Sequence, residues 1–477
     1  MKNFIGIDLG TSGVKILLVD ANGKILSEVS ESYSVMYPKS GWAEQNPEDW
    51  YSAVLRGLKR LNASGVSGIA CGGQMHGLVV LDGEDNVIRP CILWNDGRTG
   101  REVELLNDVI GCGKLTANTG NIAFAGFTAP KLLWLKHNEP ENFKRISKIM
   151  LPKDYIVYRL TGQFVTDYSD ASGTLLLDVK NKRWSRTMLD ICGISGGQLP
   201  KLCESYQNIG TVKREISDLL GWGEVTVAAG AGDNAAAAVG TGTVGVGGCN
   251  ISLGTSGTVF ISSDRFTLPQ NNALHSFAHA DGRFHLMGCI LSAASANKWW
   301  IEDILGANYD LPEKIRQYQG KNEVYFLPYL MGERCPHNDV KARGAFIGMT
   351  PETTKEQMSL AVLEGVAFAF RDCLELSGIT VKTSTVCGGG AKSGLWPEIL
   401  SNVLNLELQA VETGQGPAFG AAVLAMVACG IYPDVEAATG LIVKKHTVAK
   451  PDKRTVEAYN ERYEKFKMLY PALKNCF

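Results

Sequence analysis

The sequence predicts an α/β protein of two domains, each a mixed sheet flanked by helices. Three observations lead there: 477 residues exceed what one hydrophobic core usually organises, the first 30 residues alternate short apolar runs with tight turns before a helical pattern begins, and one five-residue segment occurs twice. Composition agrees. A chain that is 45% hydrophobic and 20% charged has apolar material for two cores and polar residues to cover them.

Taken in order, the apolar runs Phe4 to Ile7, Val14 to Val19 and Ile25 to Val29 read as three antiparallel strands, with Asp20-Ala21-Asn22-Gly23 as the second turn. Pro47-Glu48-Asp49-Trp50 opens an amphipathic helix that runs through Leu61, and strands follow at Val66 to Cys71 and around Val79 to Leu81. A meander followed by crossover helices makes a partly antiparallel sheet. Leu9-Gly10-Thr11-Ser12-Gly13 then recurs as Leu253-Gly254-Thr255-Ser256-Gly257, again between apolar runs. This implies a duplicated domain, with residues 1–244 in one copy and 245–477 in the other. The Gly/Ala-rich tract from Ala228 to Gly248 reads as a connector helix and hinge, and a charged helix from Lys453 to Leu473 as a surface cap.

A formal net charge of -2 supplies no cationic field for a phosphate backbone, so small molecules are expected as partners rather than nucleic acid. No run of 18 apolar residues occurs, and Asp8 interrupts the N-terminus before a signal-peptide core could form, so the expectation is a cytoplasmic protein without membrane attachment. A homodimer is compatible with this reading. None of the 12 cysteines are spaced Cys-x-x-Cys, and many lie in apolar stretches, as Cys387 does; free buried thiols are expected. His275, His279 and His285 have only Asp281 beside them, a poor ligand set for a structural metal.

Four stretches could carry chemistry. Asp8 ends a strand and is followed at once by a turn rich in N–H and hydroxyl donors, a combination that suits Mg²⁺ and phosphate; the same residues also make an ordinary hairpin turn. It is no Walker P-loop, since the spacing is wrong. Asp233, within Ala228-Ala229-Gly230-Ala231-Gly232-Asp233-Asn234, falls at or next to a helix start, where it is either a cap or a base for a substrate hydroxyl, and where the helix terminus favours its charged form. Gly72-Gly73-Gln74-Met75-His76-Gly77 offers an amide, a thioether and an imidazole for polyol recognition, against the plainer reading of a loop histidine. Cys387-Gly388-Gly389-Gly390-Ala391 leaves a strand for a helix at Trp396 and suits a base or ribose lying against bare backbone, although a generic turn remains the alternative.

Together these stretches resemble the FGGY carbohydrate kinase family of the actin-like ATPase superfamily over nearly the whole chain, and Gly-Gln-Met-His-Gly is similar to the loop of its xylulokinase branch. Gly344-Ala345-Phe346-Ile347-Gly348-Met349, continued after seven residues by Gln357 to Glu364, is similar to the family's C-terminal signature, and Gly126 to Leu135 to its N-terminal one, from which only His137 departs. The resemblance implies two ribonuclease-H-like domains around a deep cleft, the first mainly binding sugar and the second nucleotide. It implies Asp233 as catalytic base, Asp8 as organiser of Mg²⁺ (directly or through water), and Met75, His76 and Asn234 as sugar contacts. Gly10, Thr11 and Ser12, with Gly254, Thr255 and Ser256, become paired phosphate loops, and Gly389, Gly390 and Ala391 a nucleotide turn. Trp94-Asn95-Asp96-x-Arg98 resembles a sugar-site loop, and Gly41 to Pro47 an architectural one. The activity implied is transfer of phosphate from ATP with Mg²⁺ to the terminal hydroxyl of D-xylulose or a related ketose, giving xylulose 5-phosphate and ADP. A kinase for ribulose, gluconate or glycerol, or a non-catalytic sugar sensor, is the alternative.

Overall fold

The computed structural model describes residues 2–268, 272–306 and 313–477. Seven strands form one sheet: β1 (Asn3–Leu9), β2 (Gly13–Asp20), β3 (Ile25–Ser32), β4 (Val66–Gly73), β5 (Asn208–Thr211) and β6 (Thr226–Ala228) in the order β5-β6-β4-β1-β2-β3, with β7 (Ala231–Gly232) beside β4. Another seven form the second: β8 (Cys249–Leu253), β9 (Gly257–Ser263), β10 (His275–Ala278), β11 (Phe284–Ile290), β12 (Thr383–Cys387), β13 (Glu407–Val411) and β14 (Lys445–Ala449), in the order β10-β11-β9-β8-β12-β13-β14.

The two sheets repeat one plan. In each, the first two strands pair antiparallel, and the first also pairs parallel with a strand from much later in the chain, β4 or β12. The parallel pairs β4/β6 and β12/β13 and the antiparallel edges β5/β6 and β13/β14 correspond as well. The repeated Leu-Gly-Thr-Ser-Gly therefore makes the same hairpin turn in both sheets, and in each case the following parallel strand brings a glycine-rich stretch beside it.

Helix α1 (Pro47–Leu61) forms where the local signals place it. Asn46 caps its start by accepting from the Glu48 N–H, Pro47 occupies the first turn, and Asn62 closes it in a left-handed conformation. The helix α2 (Asp233–Gly240) connects the sheets, and α3 (Lys355–Ser377) runs through the core of the second half. Although α4 (Pro417–Ala428) comes late in the chain, it packs on β1 and β4 of the first sheet and crosses α2. At that crossing a Cβ on Gly420 would stand 1.8 Å from the Ala236 carbonyl oxygen, so only glycine permits the contact. Phe4, Leu17 and Val19 of the first sheet thus share a core with Ala421 to Val427, which joins the halves.

The terminal helix α5 (Lys453–Leu473) is more than a surface cap. Its Tyr459, Tyr463 and Phe466 are buried against α3, the Tyr459 hydroxyl donates to Glu364 at 2.9 Å and the Tyr463 hydroxyl to Asp372 at 2.6 Å. All 12 cysteines are free, but Cys387 is exposed at the end of β12, contrary to the expectation from its apolar neighbours. His275, His279 and His285 stack among Phe277, Phe260 and one another inside the protein. The β10–β11 hairpin reaches the first half, where Asn121 and Ser276 exchange hydrogen bonds and Lys182 donates to the Gly282 carbonyl at 2.7 Å.

Candidate functional site

Asp8 lies in β1 opposite Lys15, one residue from the turn. Burial pushes its carboxyl up to about 6 against the pull of Lys15, and no described residue donates a hydrogen bond to it. The turn beyond is held from outside: the Tyr33 hydroxyl donates to the Gly10 carbonyl at 2.6 Å, the Gln45 amide to the Thr11 carbonyl at 2.7 Å, and the Thr11 hydroxyl takes the Trp94 indole N–H at 3.0 Å while donating to Gln74 at 3.3 Å. With its carbonyls engaged, the turn leaves the Thr11 and Ser12 N–H groups without an acceptor among the described residues. Such a turn can accept an anion.

The Trp94 loop owes its position to Asp96 and Arg98. Asp96 is buried, accepts the Ala43 N–H at 2.6 Å and is held by the Arg98 guanidinium, which lies 3.7 Å over the Trp42 ring. Asp96 and Arg98 therefore fasten the 41–46 segment to the 94–98 segment, and Trp94 is the member that reaches the turn.

Asp233 is the first residue of α2, with Gly232 as cap. Its carboxylate accepts the Asn234 N–H at 2.7 Å. The helix terminus does not keep it charged in the way the sequence suggested: burial, reinforced by the nearby Asp8 carboxylate, lifts its pKa to about 7. Desolvation outweighs the helix terminus because no cation among the described residues offsets it. Behind it, the fully buried Lys153 pairs with Asp154 at 2.7 Å and Asp167 at 3.0 Å. Burial works against the Lys153 charge, but the surrounding carboxylates hold it protonated. Ser169 donates to Asp167 and accepts the Gly232 N–H at 3.2 Å, so this buried network ends on the residue before Asp233.

Met75 and His76 follow β4, and the Asn234 amide contacts the Met75 sulfur at 3.8 Å, which places Met75, Asn234 and Asp233 in one group. His76 has φ +70, a strained conformation for a non-glycine residue. Three contacts hold it there. Thr128 and Lys131 donate to its carbonyl at 3.1 and 2.8 Å, and its ring stacks on Phe127 at 4.8 Å. The N-terminal signature segment thus clamps the Met75-His76 loop, a role the sequence did not reveal because the partners lie far apart in the chain. His137 lies at the far end of the same helix, contacting Glu102 at 3.1 Å. Burial holds His76 neutral, at about 3, and Nδ1 stands 2.7 Å from the Gly173 carbonyl oxygen. A carbonyl only accepts, so Nδ1 carries the proton and Nε2 keeps a free lone pair.

The second turn differs from the first. Gly254 and Thr255 give their carbonyls to the N–H groups of Ala293, Ala294 and Ser295, while Thr255 and Ser256 are exposed and their N–H groups have no acceptor among the described residues. Gly388, at φ +92, lies so close that a Cβ would stand 2.6 Å from the Leu253 carbonyl carbon. Gly389 is open, Gly390 packs on Leu253, and Ala391 lies against the core. Gly388 and Gly390 both sit where a Cβ would come within 2.6 Å of Leu253, Gly388 against its backbone and Gly390 against its side chain.

Two hairpin turns whose amides lack acceptors among the described residues, a carboxylate beside the first that receives no hydrogen bond from them and a second carboxylate at a helix start suit a phosphoryl-transfer protein, here on a two-domain actin-like ATPase fold. The chain belongs to the FGGY family of carbohydrate kinases: the family's N-terminal domain model matches residues 3–240 and its C-terminal domain model residues 249–429. It is 41% identical to a xylulose kinase of Escherichia coli over 98% of this chain and 99% of that one, and 36% identical to a xylulose kinase of Bacillus subtilis over 100% and 98%. A ligand-bound xylulose kinase and a gluconate kinase, both solved from Lactobacillus acidophilus, each superpose with a TM-score of 0.93 at 28% identity, covering 99% of this chain and 99% and 98% of theirs. The chain is a sugar kinase, and a nucleotide and a sugar are its small-molecule partners.

Proposed function

We propose that the chain transfers the γ-phosphoryl group of ATP to the terminal hydroxyl of D-xylulose or a closely related ketose, yielding xylulose 5-phosphate and ADP. The observation that carries this is the contact group of Asp233, Asn234 and Met75, which puts a carboxylate of raised pKa beside the polar loop that includes His76. Curated relatives across several bacteria are xylulose kinases, which supports the same substrate.

In this reading the sugar lies against Met75, His76 and Asn234, and Asp233 accepts the proton of the attacking hydroxyl as its oxygen approaches phosphorus in line. A pKa that burial raises to about 7 suits a group that must take up a proton and release it. Gly10, Thr11 and Ser12 receive one part of the phosphate chain, Gly254, Thr255 and Ser256 another, and Gly389 to Ala391 receive the nucleoside. Asp8 fits Mg²⁺: its carboxylate has no hydrogen-bond donor among the described residues and lies one residue from the open turn. The ion would supply charge neutralisation for the transferring phosphoryl group. Residues 1–244 would thus serve mainly the sugar and residues 245–477 the nucleotide. In this reading the reaction runs in the cytoplasm; among the described residues no helix is long and apolar enough to cross a membrane.

The test is ADP formation with MgATP across xylulose, ribulose, gluconate and glycerol. Xylulose should give the highest kcat/KM, and a higher value for any of the others would overturn the substrate assignment.

A further inference from the structure

Arg334 comes from the second half of the chain, yet it faces the loop that holds His76. Its guanidinium carbon lies 5.0 Å from the Phe124 ring; Phe124 meets the edges of Phe127 at 5.5 Å and His275 at 5.1 Å, and Phe127 stacks on His76. Arg334 is close enough to both imidazoles to disfavour their charged forms. The wall between the halves is therefore aromatic, with Lys131 of the first half and Arg334 of the second beside it.

The backbone around Arg334 is fastened. Glu333 and Asp339 exchange backbone hydrogen bonds at 2.9 and 2.8 Å, and the Cys335 N–H donates to the Cys289 carbonyl at 3.1 Å. The buried Glu333 carboxylate accepts the N–H groups of Arg334 and Leu291 at 2.7 and 3.0 Å. The side chain is not tied in the same way. Arg98 has Asp96 at 2.7 Å and Arg462 has Glu364 at 2.7 Å, whereas the Arg334 guanidinium has no hydrogen bond or ion pair among the described residues, only the ring face of Phe124. It carries five N–H donors and no acceptor, half-buried, with neutral rings beside it and the Glu333 carboxyl, which burial pushes up to about 8, near enough to interact with its charge. Such a group lacks an acceptor that a ligand would supply.

We propose that Arg334 is a substrate-binding residue that selects the ketose: it donates to the ketone oxygen of the open-chain sugar, at the end away from Asp233, while Nε2 of His76 accepts from a neighbouring hydroxyl. This rests on the ketose reading above. A ketone oxygen only accepts, matching a group that only donates. In the corresponding alditol that carbon bears a hydroxyl, whose proton would point at donors and neutral rings and stay unpaired. The sugar site is then completed by both halves of the chain.

The test compares the wild type with Arg334→Gln and Arg334→Lys, using D-xylulose as substrate and xylitol as competitive inhibitor at saturating MgATP. Arg334→Gln should raise the xylulose KM by roughly tenfold to a hundredfold, shift the xylitol inhibition constant less than about threefold, and leave the ATP KM within about twofold. Arg334→Lys keeps the charge and stem but loses the planar fork, so it too should narrow the preference for ketose over alditol. A xylulose KM unchanged in both variants, a parallel loss for xylulose and xylitol, or an equal rise in the ATP KM overturns the proposal. A wild type that phosphorylates no ketose would instead refute the function on which it rests, and the two failures are distinguishable.

Discussion

Replacing Asp233 by Asn should cost activity and gain stability, the first because a proton acceptor is lost and the second because of its raised pKa. The amide keeps the shape of the side chain and removes the proton acceptor, so turnover should fall by about a hundredfold to ten-thousandfold. The wild-type carboxyl is raised from 3.8 to about 7 in the folded protein, by burial first and by Asp8 second. A raised folded pKa means that the native state holds the proton more tightly than the unfolded chain, so stability declines as pH climbs between those two values and then levels off. About three pH units at about 1.4 kcal/mol each set an upper bound of roughly 4 kcal/mol for the cost of the buried charge at pH 8. The neutral amide of the variant would not bear that cost. Thermal unfolding of the ligand-free protein should therefore give a higher apparent Tm for Asp233→Asn than for wild type at pH 8, with the free-energy gap narrowing to about a third at pH 5. A loss of turnover smaller than about tenfold, or a variant no more stable than wild type at pH 8, would refute the reasoning.

Other perturbations separate the walls of the site. The kcat/KM of the wild type, with both substrates well below saturation, should fall about tenfold per pH unit below pH 7, because the ionised Asp233 is the active form; a profile flat down to pH 5 would contradict its raised pKa. In Gly173→Ala the new Cβ would stand 2.4 Å from Nδ1 of His76, so the xylulose KM should rise by about an order of magnitude with the ATP KM little changed. Gly388→Ala meets the Leu253 backbone at 2.6 Å from a φ of +92 and should raise the ATP KM while sparing xylulose binding by calorimetry. Gly389→Ala meets nothing within 4 Å, so its apparent Tm should match wild type, and an unchanged ATP KM would show that no nucleotide lies against that backbone.

Some of this molecule was set by neighbours in the chain. The β1–β2–β3 meander, the capped start of α1 and the twin turns at 9–13 and 253–257 depend on alternation, turn residues and caps within a few positions, and they form where the pattern lies. The placement of Asp8 at a strand end and of Asp233 at a helix start belongs to the same local order. What depends on distant partners was not legible. The charge of Asp233 is decided by burial and by Asp8, remote in sequence but close in space, and desolvation reverses the tendency that a helix terminus alone would impose. Trp94 reaches Thr11, Lys131 clamps His76, and α4 crosses to the first sheet through contacts between residues far apart in the chain. Arg334 meets the aromatic wall around His76 only because the second half folds back onto the first. A local pattern specifies which backbone can form; which side chains lose water, and beside what charge, is settled only when the two halves pack.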